Sequence, residues 1–322
     1  MTDPPRHLPV LRAETLDLLA PRPGETALDC TAGLGGHAAE LARRLGPSGT
    51  LVLCDLDPGN LEQARARVLG TAEPPRVVVL RGSFAEAPRR LVEQGLRADV
   101  VLADLGFSSN QVESAERGLS FQRDGPLDMR LDPSGPLTAA DLVNTAPASE
   151  LAQIIRELGE ERHARAVAEK IVRERRAGPI QTTARLAALV RSVVGKYSGG
   201  APAGIDHATR TFQALRLAVN DELGHLRALL DSLERAARTS GDPEAAPSWL
   251  APGARVAIIS FHSLEDRPVK QAFARLVEAG SAEPLTRRPV TASDAERLEN
   301  PRSRSAKLRA LRLVPSPRAR AG

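Results

Sequence analysis

Residues 26–37 read T-A-L-D-C-T-A-G-L-G-G-H, and the fold follows from this stretch. A short apolar strand, Thr26 to Cys30, passes through a glycine-rich turn into a helical pattern from Gly35 to Leu45. Glycines at such a turn let a ligand approach the backbone, and a helix N-terminus favours polar or anionic groups. The spacing is not the dinucleotide fingerprint G-x-G-x-x-G, because Gly33 is followed by Gly35 and Gly36 and His37 holds the next position. A tight strand-to-helix turn needs glycine in any case, so the turn alone leaves the ligand open.

Outward from the turn, strands and helices alternate. Leu51 to Asp55 reads as a second strand, and Pro58 to Leu69 as a helix with proline in its first turn. Val77 to Leu80 and Asp99 to Asp104 read as a third and a fourth strand. Short apolar strands without alternation, separated by helices, indicate a parallel sheet covered on both faces. The fold class is therefore α/β and doubly wound, Rossmann-like.

The alternation stops after Asp104, and from Ser108 to Ile205 no convincing strand is found. Ser149 to Val172 has a helical apolar period that Gly159 divides in two, and Thr182 is placed to cap a further helix. Residues 195–204 are glycine-rich and read as a flexible loop. The α/β pattern resumes with a long helix from Ala208 through Leu230, a strand from Arg255 to Ser260, a helix from Leu264 to Glu278 and a last strand from Leu308 to Val314. The expected organisation is a sheet domain, residues 1–107 and 207–322, with an all-helical domain inserted over 108–206.

Composition sets outer limits. In 322 residues, 42% are apolar and only 2% aromatic, so aliphatic side chains must fill a sizeable core. The net charge of +4 permits an anionic partner without demanding one. Basic residues concentrate in Arg162–Lys196 and in the stretch from Asn300 to Gly322, which has no acid; a solvated face or nucleic-acid contact fits either run. Cys30 and Cys54 form no C-x-x-C pair and read as buried thiols, so no metal site is expected. There is no signal pattern and no apolar run long enough to span a bilayer, and a soluble cytoplasmic protein is expected.

The strand ends carry the chemistry. Asp55 falls about twenty residues beyond the turn, where a carboxylate of this fold meets the ribose hydroxyls of an adenosine ligand. Phe84 follows the third strand and reads either as an adenine contact or as ordinary core. Asp104 ends the fourth strand. A glycine turn with two strand-end acids favours S-adenosylmethionine over a nicotinamide cofactor.

Longer segments make the chain recognisable. H-L-P-V-L-R-A-E from His7, D-C-T-A-G-L-G-G-H from Asp29, D-L-D-P from Asp55 and D-L-G-F-S-S-N-Q from Asp104 come first. Then follow E-R-G-L-S-F-Q-R-D-G-P-L-D-M-R from Glu116, G-E-E-R from Gly159, H-A-T-R-T-F-Q-A-L-R from His207, I-S-F-H-S-L-E-D-R from Ile259 and N-P-R-S-R-S-A-K-L-R from Asn300. With these motifs spread over nearly its whole length, the sequence closely resembles the bacterial 16S ribosomal RNA cytosine-N4 methyltransferases. It departs from them at Asn110, where proline is usual, at Leu158, where an aromatic is usual, and at Pro268, where an aliphatic is usual.

The resemblance implies methyl transfer from S-adenosylmethionine to the exocyclic amine of a decoding-region cytosine in the small ribosomal subunit. It implies cofactor contacts from Gly35, Gly36, His37, Asp55, Phe84, Asp104 and Gln111, and a role in holding RNA for the inserted helices. It also turns the loop from Phe121 to Arg130, with Arg123, Asp128 and Arg130, into an expected substrate-side loop. Arg210 is placed to reach phosphate. His262 and Ser263, beyond the fifth strand, either contact the target nucleotide or serve the fold. No stable protein partner is inferred.

For Asp104 two roles remain. It binds the amine and offsets the cofactor's positive sulfonium region, or it only orients the cofactor; the sequence leaves the identity of the general base open. Other readings of the whole chain are a methyltransferase acting on DNA or protein, an RNA-binding assembly factor without turnover, and a nicotinamide oxidoreductase, the last disfavoured by the glycine spacing.

Overall fold

The computed structural model describes residues 8–197, 206–239 and 247–314. His7, the loop expected over 195–204 from residue 198 on, and the basic residues Arg318 and Arg320 lie outside the described residues. The chain divides into two compact units, Met1–Gly106 with Leu223–Gly322, and Phe107–Glu222.

The first unit begins with α1 (Arg12–Leu19), β1 (Thr26–Asp29), α2 (Gly36–Leu45), β2 (Thr50–Asp55), α3 (Pro58–Leu69), β3 (Arg76–Arg81), α4 (Ala87–Glu93) and β4 (Ala98–Asp104). The second holds α5 (Ser109–Glu113), α6 (Ala139–Thr145), α7 (Ala148–Gly159), α8 (Ala164–Glu174), α9 (Thr183–Tyr197) and α10 (Thr209–Val219). The chain then completes the first unit with α11 (Glu222–Arg238), β5 (Leu250–Ser260), α12 (Ser263–Glu278), β6 (Ala282–Pro284), α13 (Asp294–Glu299) and β7 (Lys307–Leu313).

The seven strands form one sheet in the order β3-β2-β1-β4-β5-β7-β6. β3, β2, β1, β4 and β5 run parallel, and β7 joins antiparallel to β5 and β6. Successive strand residues enter opposite cores. Leu28, Val52, Val101 and Ile258 pack on one face with Leu226, Leu230 and Phe273. Ala27, Leu51, Leu53, Leu102 and Ile259 pack on the other with Leu16, Leu41 and Leu61. The strands read as unbroken apolar runs because both faces are covered. The strand order reverses between β1 and β4, and at such a switch point the turns after the two strands diverge and leave a crevice at their carboxyl ends.

Helix ends follow from local chemistry. Asp57 caps α3, accepting the Gly59 amide at 2.9 Å, with Pro58 at the first position. Thr182 accepts the Arg185 amide at 3.3 Å and starts α9. Gly159 closes α7 where the helices come closest: a Cβ there would lie 2.6 Å from the Arg210 carbonyl oxygen of α10.

The long helix expected from Ala208 through Leu230 is in fact two. The side chain of Asn220 donates to the Met129 carbonyl at 2.8 Å and accepts the Leu131 amide at 2.7 Å. Asp221 then takes a left-handed conformation, φ 45°, and the helix restarts at Glu222. The apolar spacing of three and four runs through the break because both helices are amphipathic. The boundary expected at residue 207 therefore moves to 222. α10 buries Phe212 and Leu215 in the core of the helical unit, with Leu151, Ile155 and Val167. Among the described residues no helix is long and apolar enough to cross a membrane.

Candidate active site

Three acids stand at the carboxyl ends of adjacent strands: Asp29 on β1, Asp55 on β2 and Asp104 on β4. Hydrogen bonds lock the turn between β1 and α2 to them. Gly33 donates its amide to Asp55 Oδ2 at 2.8 Å, and Asp57 donates to Oδ1 at 2.9 Å. Thr31 donates its amide to Asp29 Oδ1 at 3.1 Å, and its hydroxyl accepts the Asp104 amide at 2.7 Å. Asp55 thus spends part of its accepting capacity on the backbone.

The glycines of the turn have structural reasons of their own. Gly35 has φ +75°, and a Cβ there would lie 2.7 Å from Ala64 Cα of α3. A Cβ on Gly36 would meet Pro9 Cγ at 3.2 Å. Gly35 excludes a side chain because of the chain packed against it, whether or not a ligand approaches, while at Gly36 a Cβ would require Pro9 to give by a few tenths of an ångström.

Behind the turn lies a buried polar cluster. His37, in the first turn of α2, is buried, and its Nε2 is 3.7 Å from Asp104 Oδ2, beyond hydrogen-bond range. Burial lowers the His37 pKa to about 4, so the ring is neutral at physiological pH. Burial raises the Asp29 carboxyl to about 7, partly opposed by the Thr31 amide. Asp104 is raised well above the usual carboxylate range, first by burial and then by the charges of Asp29 and Glu265. Asp104 Oδ1 is enclosed, while about a quarter of the side chain, 24%, remains accessible. Glu265, in the first turn of α12, accepts the Phe261 amide at 2.8 Å, and its Oε1 lies 3.2 Å from His262 Nε2.

Asp29 Oδ2, Asp104 Oδ1 and His37 Nε2 are enclosed without a hydrogen-bond partner. Each such group costs about 1–3 kcal/mol if left unsatisfied. Several at one sheet edge, among three carboxylates, mark a place built for a polar ligand with positive charge. S-adenosylmethionine, which carries an amine and a sulfonium, fits this donor and acceptor set. Among the described residues no group of His, Cys, Asp and Glu could hold a metal ion. Cys30 and Cys54 are free and buried, and burial raises both thiols, so neither is a nucleophile at neutral pH.

The remaining expected residues divide between the two units. In the first, Phe84 follows β3, packs on the core and meets the His225 ring edge-on at 6.2 Å. His262 is the N-cap residue of α12, and Ser263 is the exposed first residue of that helix. In the second, Gln111 completes a capping box at the start of α5, its Oε1 accepting the Ser108 amide at 3.0 Å. Asp128 and Arg130 pair with each other, 2.8 Å from Nε to Oδ1 and 2.7 Å from Nη2 to Oδ2, and Arg130 also donates to the Gly135 carbonyl. Arg123 donates to the Glu113 carbonyl at 3.1 Å, and Arg210 reaches the Glu160 carbonyl at 3.4 Å.

Asp29, Thr31 and Glu265 join the candidate site only through the fold. Asp29 and Thr31 carried a signal, an acid and a hydroxyl at the exit of the strand that opens the glycine turn. Glu265 carried none, because an acid in the first turn of a helix is ordinary.

A family model described as the MraW methylase family matches residues 5–314. The chain is 47% identical over 309 residues to Ribosomal RNA small subunit methyltransferase H of Koribacter versatilis, covering 94% of this chain and 93% of the relative. It is 47% identical over 324 residues to the protein of the same name from Symbiobacterium thermophilum, covering 95% and 96%. With that of Acidobacterium capsulatum the identity is 47% over 315 residues, covering 95% and 97%.

Proposed function

The chain belongs to the MraW methylase family, and from that premise we propose that it transfers a methyl group from S-adenosylmethionine to the N4 amine of a decoding-region cytosine in 16S rRNA of the small ribosomal subunit. The observation that carries this reading is the cluster of buried Asp29 and His37 with partly accessible Asp104 at the switch point of the sheet. It acts as a cytoplasmic enzyme on RNA within the subunit.

When bound, S-adenosylmethionine supplies an electrophilic methyl group on a cationic sulfur. The cytosine amine is a poor nucleophile because its lone pair is delocalised into the ring. Burial makes Asp104 hold its proton more readily than an ordinary carboxyl; the positive charge of a bound cofactor would favour its ionised form, and the carboxylate then accepts a hydrogen bond from that amine and takes its proton. Thr31 fixes the Asp104 backbone. Neutral His37 packs behind the carboxylate without competing for its proton. Asp55, Gly35, Gly36, His37, Phe84, Asp104 and Gln111 are the proposed cofactor contacts, and Asp29 joins them. Arg123, Asp128, Arg130, Arg210, His262 and Ser263 are the proposed substrate contacts. A target base must leave its helix to be reached.

The test uses S-adenosylmethionine labelled in the methyl group, small ribosomal subunits, and nuclease digestion of the recovered RNA. Label in N4-methylcytidine from one site is expected. Label in protein, in another nucleoside, or nowhere overturns the reading.

A further inference from the structure

The chain has one tyrosine, and the fold leaves it on the surface. Tyr197, the last residue of α9, is 61% exposed, whereas Phe212, Trp249 and Phe273 are buried. One face of its ring is covered by His163, with the ring centroids 4.4 Å apart and the planes 12° from parallel. His163 is itself held in place. It is the N-cap residue of α8, its amide donates to Glu161 Oε1 at 2.8 Å, and its carbonyl accepts the Val167 amide at 3.0 Å. Two helix ends thus present a stacked pair of rings. With one face against His163 and 61% of the side chain accessible, the other face of the tyrosine is open to water. Arg162 and Lys196, the chain neighbours of the two rings, are exposed cations.

Tyr197 is more exposed than Phe107, the other exposed aromatic among the described residues, 61% against 39%. Flanked by cations and backed by a second ring, it has the make-up of a base-stacking platform. The π-face takes a nucleobase, and the cations take the phosphates on either side. We propose that Tyr197, supported by His163, is a stacking site for an unpaired nucleotide of the RNA substrate, within the helical unit. This inference rests on the RNA-methylation reading above. Stacking of this kind adds affinity without sequence preference, so the site binds RNA and does not select the target base.

The experiment compares wild type with Tyr197→Ala, Tyr197→Phe and Tyr197→Trp in steady-state methylation of small ribosomal subunits. Tyr197→Ala is expected to raise KM for subunits roughly tenfold, the loss of one base–aromatic stack, while kcat at saturation stays within about twofold of wild type. Tyr197→Phe keeps the ring and is expected to stay close to wild type. Thermal midpoints test folding, and a surface residue predicts little change. In Tyr197→Trp, a single-stranded oligoribonucleotide is expected to quench the new fluorophore against the constant signal of buried Trp249. A Tyr197→Ala enzyme with wild-type KM overturns the proposal. So does an equal loss in Tyr197→Phe, which would assign the effect to the hydroxyl. If wild type itself transfers no methyl group to RNA, the functional reading falls instead, and the platform with it.

Discussion

Asp104 has one enclosed oxygen, a partly accessible side chain, and a pKa raised by burial beside Asp29 and Glu265. If it holds the cytosine amine, its contact strengthens as charge develops on nitrogen, and Asp104→Ala slows single turnover at saturating ligands by roughly 10²–10³-fold. A loss confined to cofactor affinity would make it an orienting residue only. Asp55 has two duties, because it also accepts the amides of Gly33 and Asp57. Asp55→Ala is therefore expected to weaken S-adenosylmethionine by about 10–100-fold in calorimetry and also to cost stability, roughly 1–3 kcal/mol for the freed amides. Asp29 makes the site pH-dependent. Its folded pKa, about 7, lies above the ordinary 3.8, so the folded state holds the proton more tightly. That contribution to stability is full below about pH 4 and is lost as pH rises toward 7. A cationic ligand favours the ionised acid, so cofactor affinity rises over the same window. Asp29→Asn should flatten both profiles, read by urea midpoints and by calorimetry across pH; unchanged profiles would remove Asp29 from the titration.

Between β1 and α2, the turn is held by contacts that arise far along the chain. Gly35 combines a positive φ with a closest approach to α3 at Ala64. Gly35→Ala must shift backbone against backbone, and a loss of about 2–4 kcal/mol is expected from strain and overpacking together; a thermal midpoint equal to wild type would contradict that contact. At the α10–α11 break the determining residue is Asn220, whose side chain bridges back to Met129 and Leu131. The basic runs also look different once folded. In the helical unit Arg165 pairs with Glu169, Lys170 with Glu174 and Arg191 with Asp206, while Arg175 caps the carbonyls of Val143 and Ala146. In β7, Lys307 and Arg309 both pair with Asp266, and Arg312 with Glu283. Part of the apparent excess of cations is thereby paired, within α8 or between elements.

For the molecule as a whole, the two units divide the work proposed: an acid-lined sheet edge for the cofactor, and helices with surface cations and a ring pair for RNA. Binding to small subunits is expected to weaken steeply with salt as phosphate contacts release counterions. Replacing Arg302, Arg304 and Lys307 with alanine should lower the slope of log affinity against log salt by up to about three; an unchanged slope would make them ordinary surface residues. The doubly wound sheet, the strand-end acids Asp55 and Asp104 and the split of Ser149 to Val172 at Gly159 were legible in the sequence, because period, apolar run length and turn residues are local properties of the chain. The motifs likewise pointed to the family from the residues alone. The break at Asn220, the move of the boundary from 207 to 222, the burial of Asp29 and His37 and the entry of Glu265 into the acid cluster were decided only by the tertiary structure. Each depends on a partner distant in sequence, as Met129 is for Asn220 and Asp104 is for His37, Asp29 and Glu265. A residue's burial, and with it its charge and hydrogen bonding, is set by what the rest of the chain lays against it, and no local pattern contains that information.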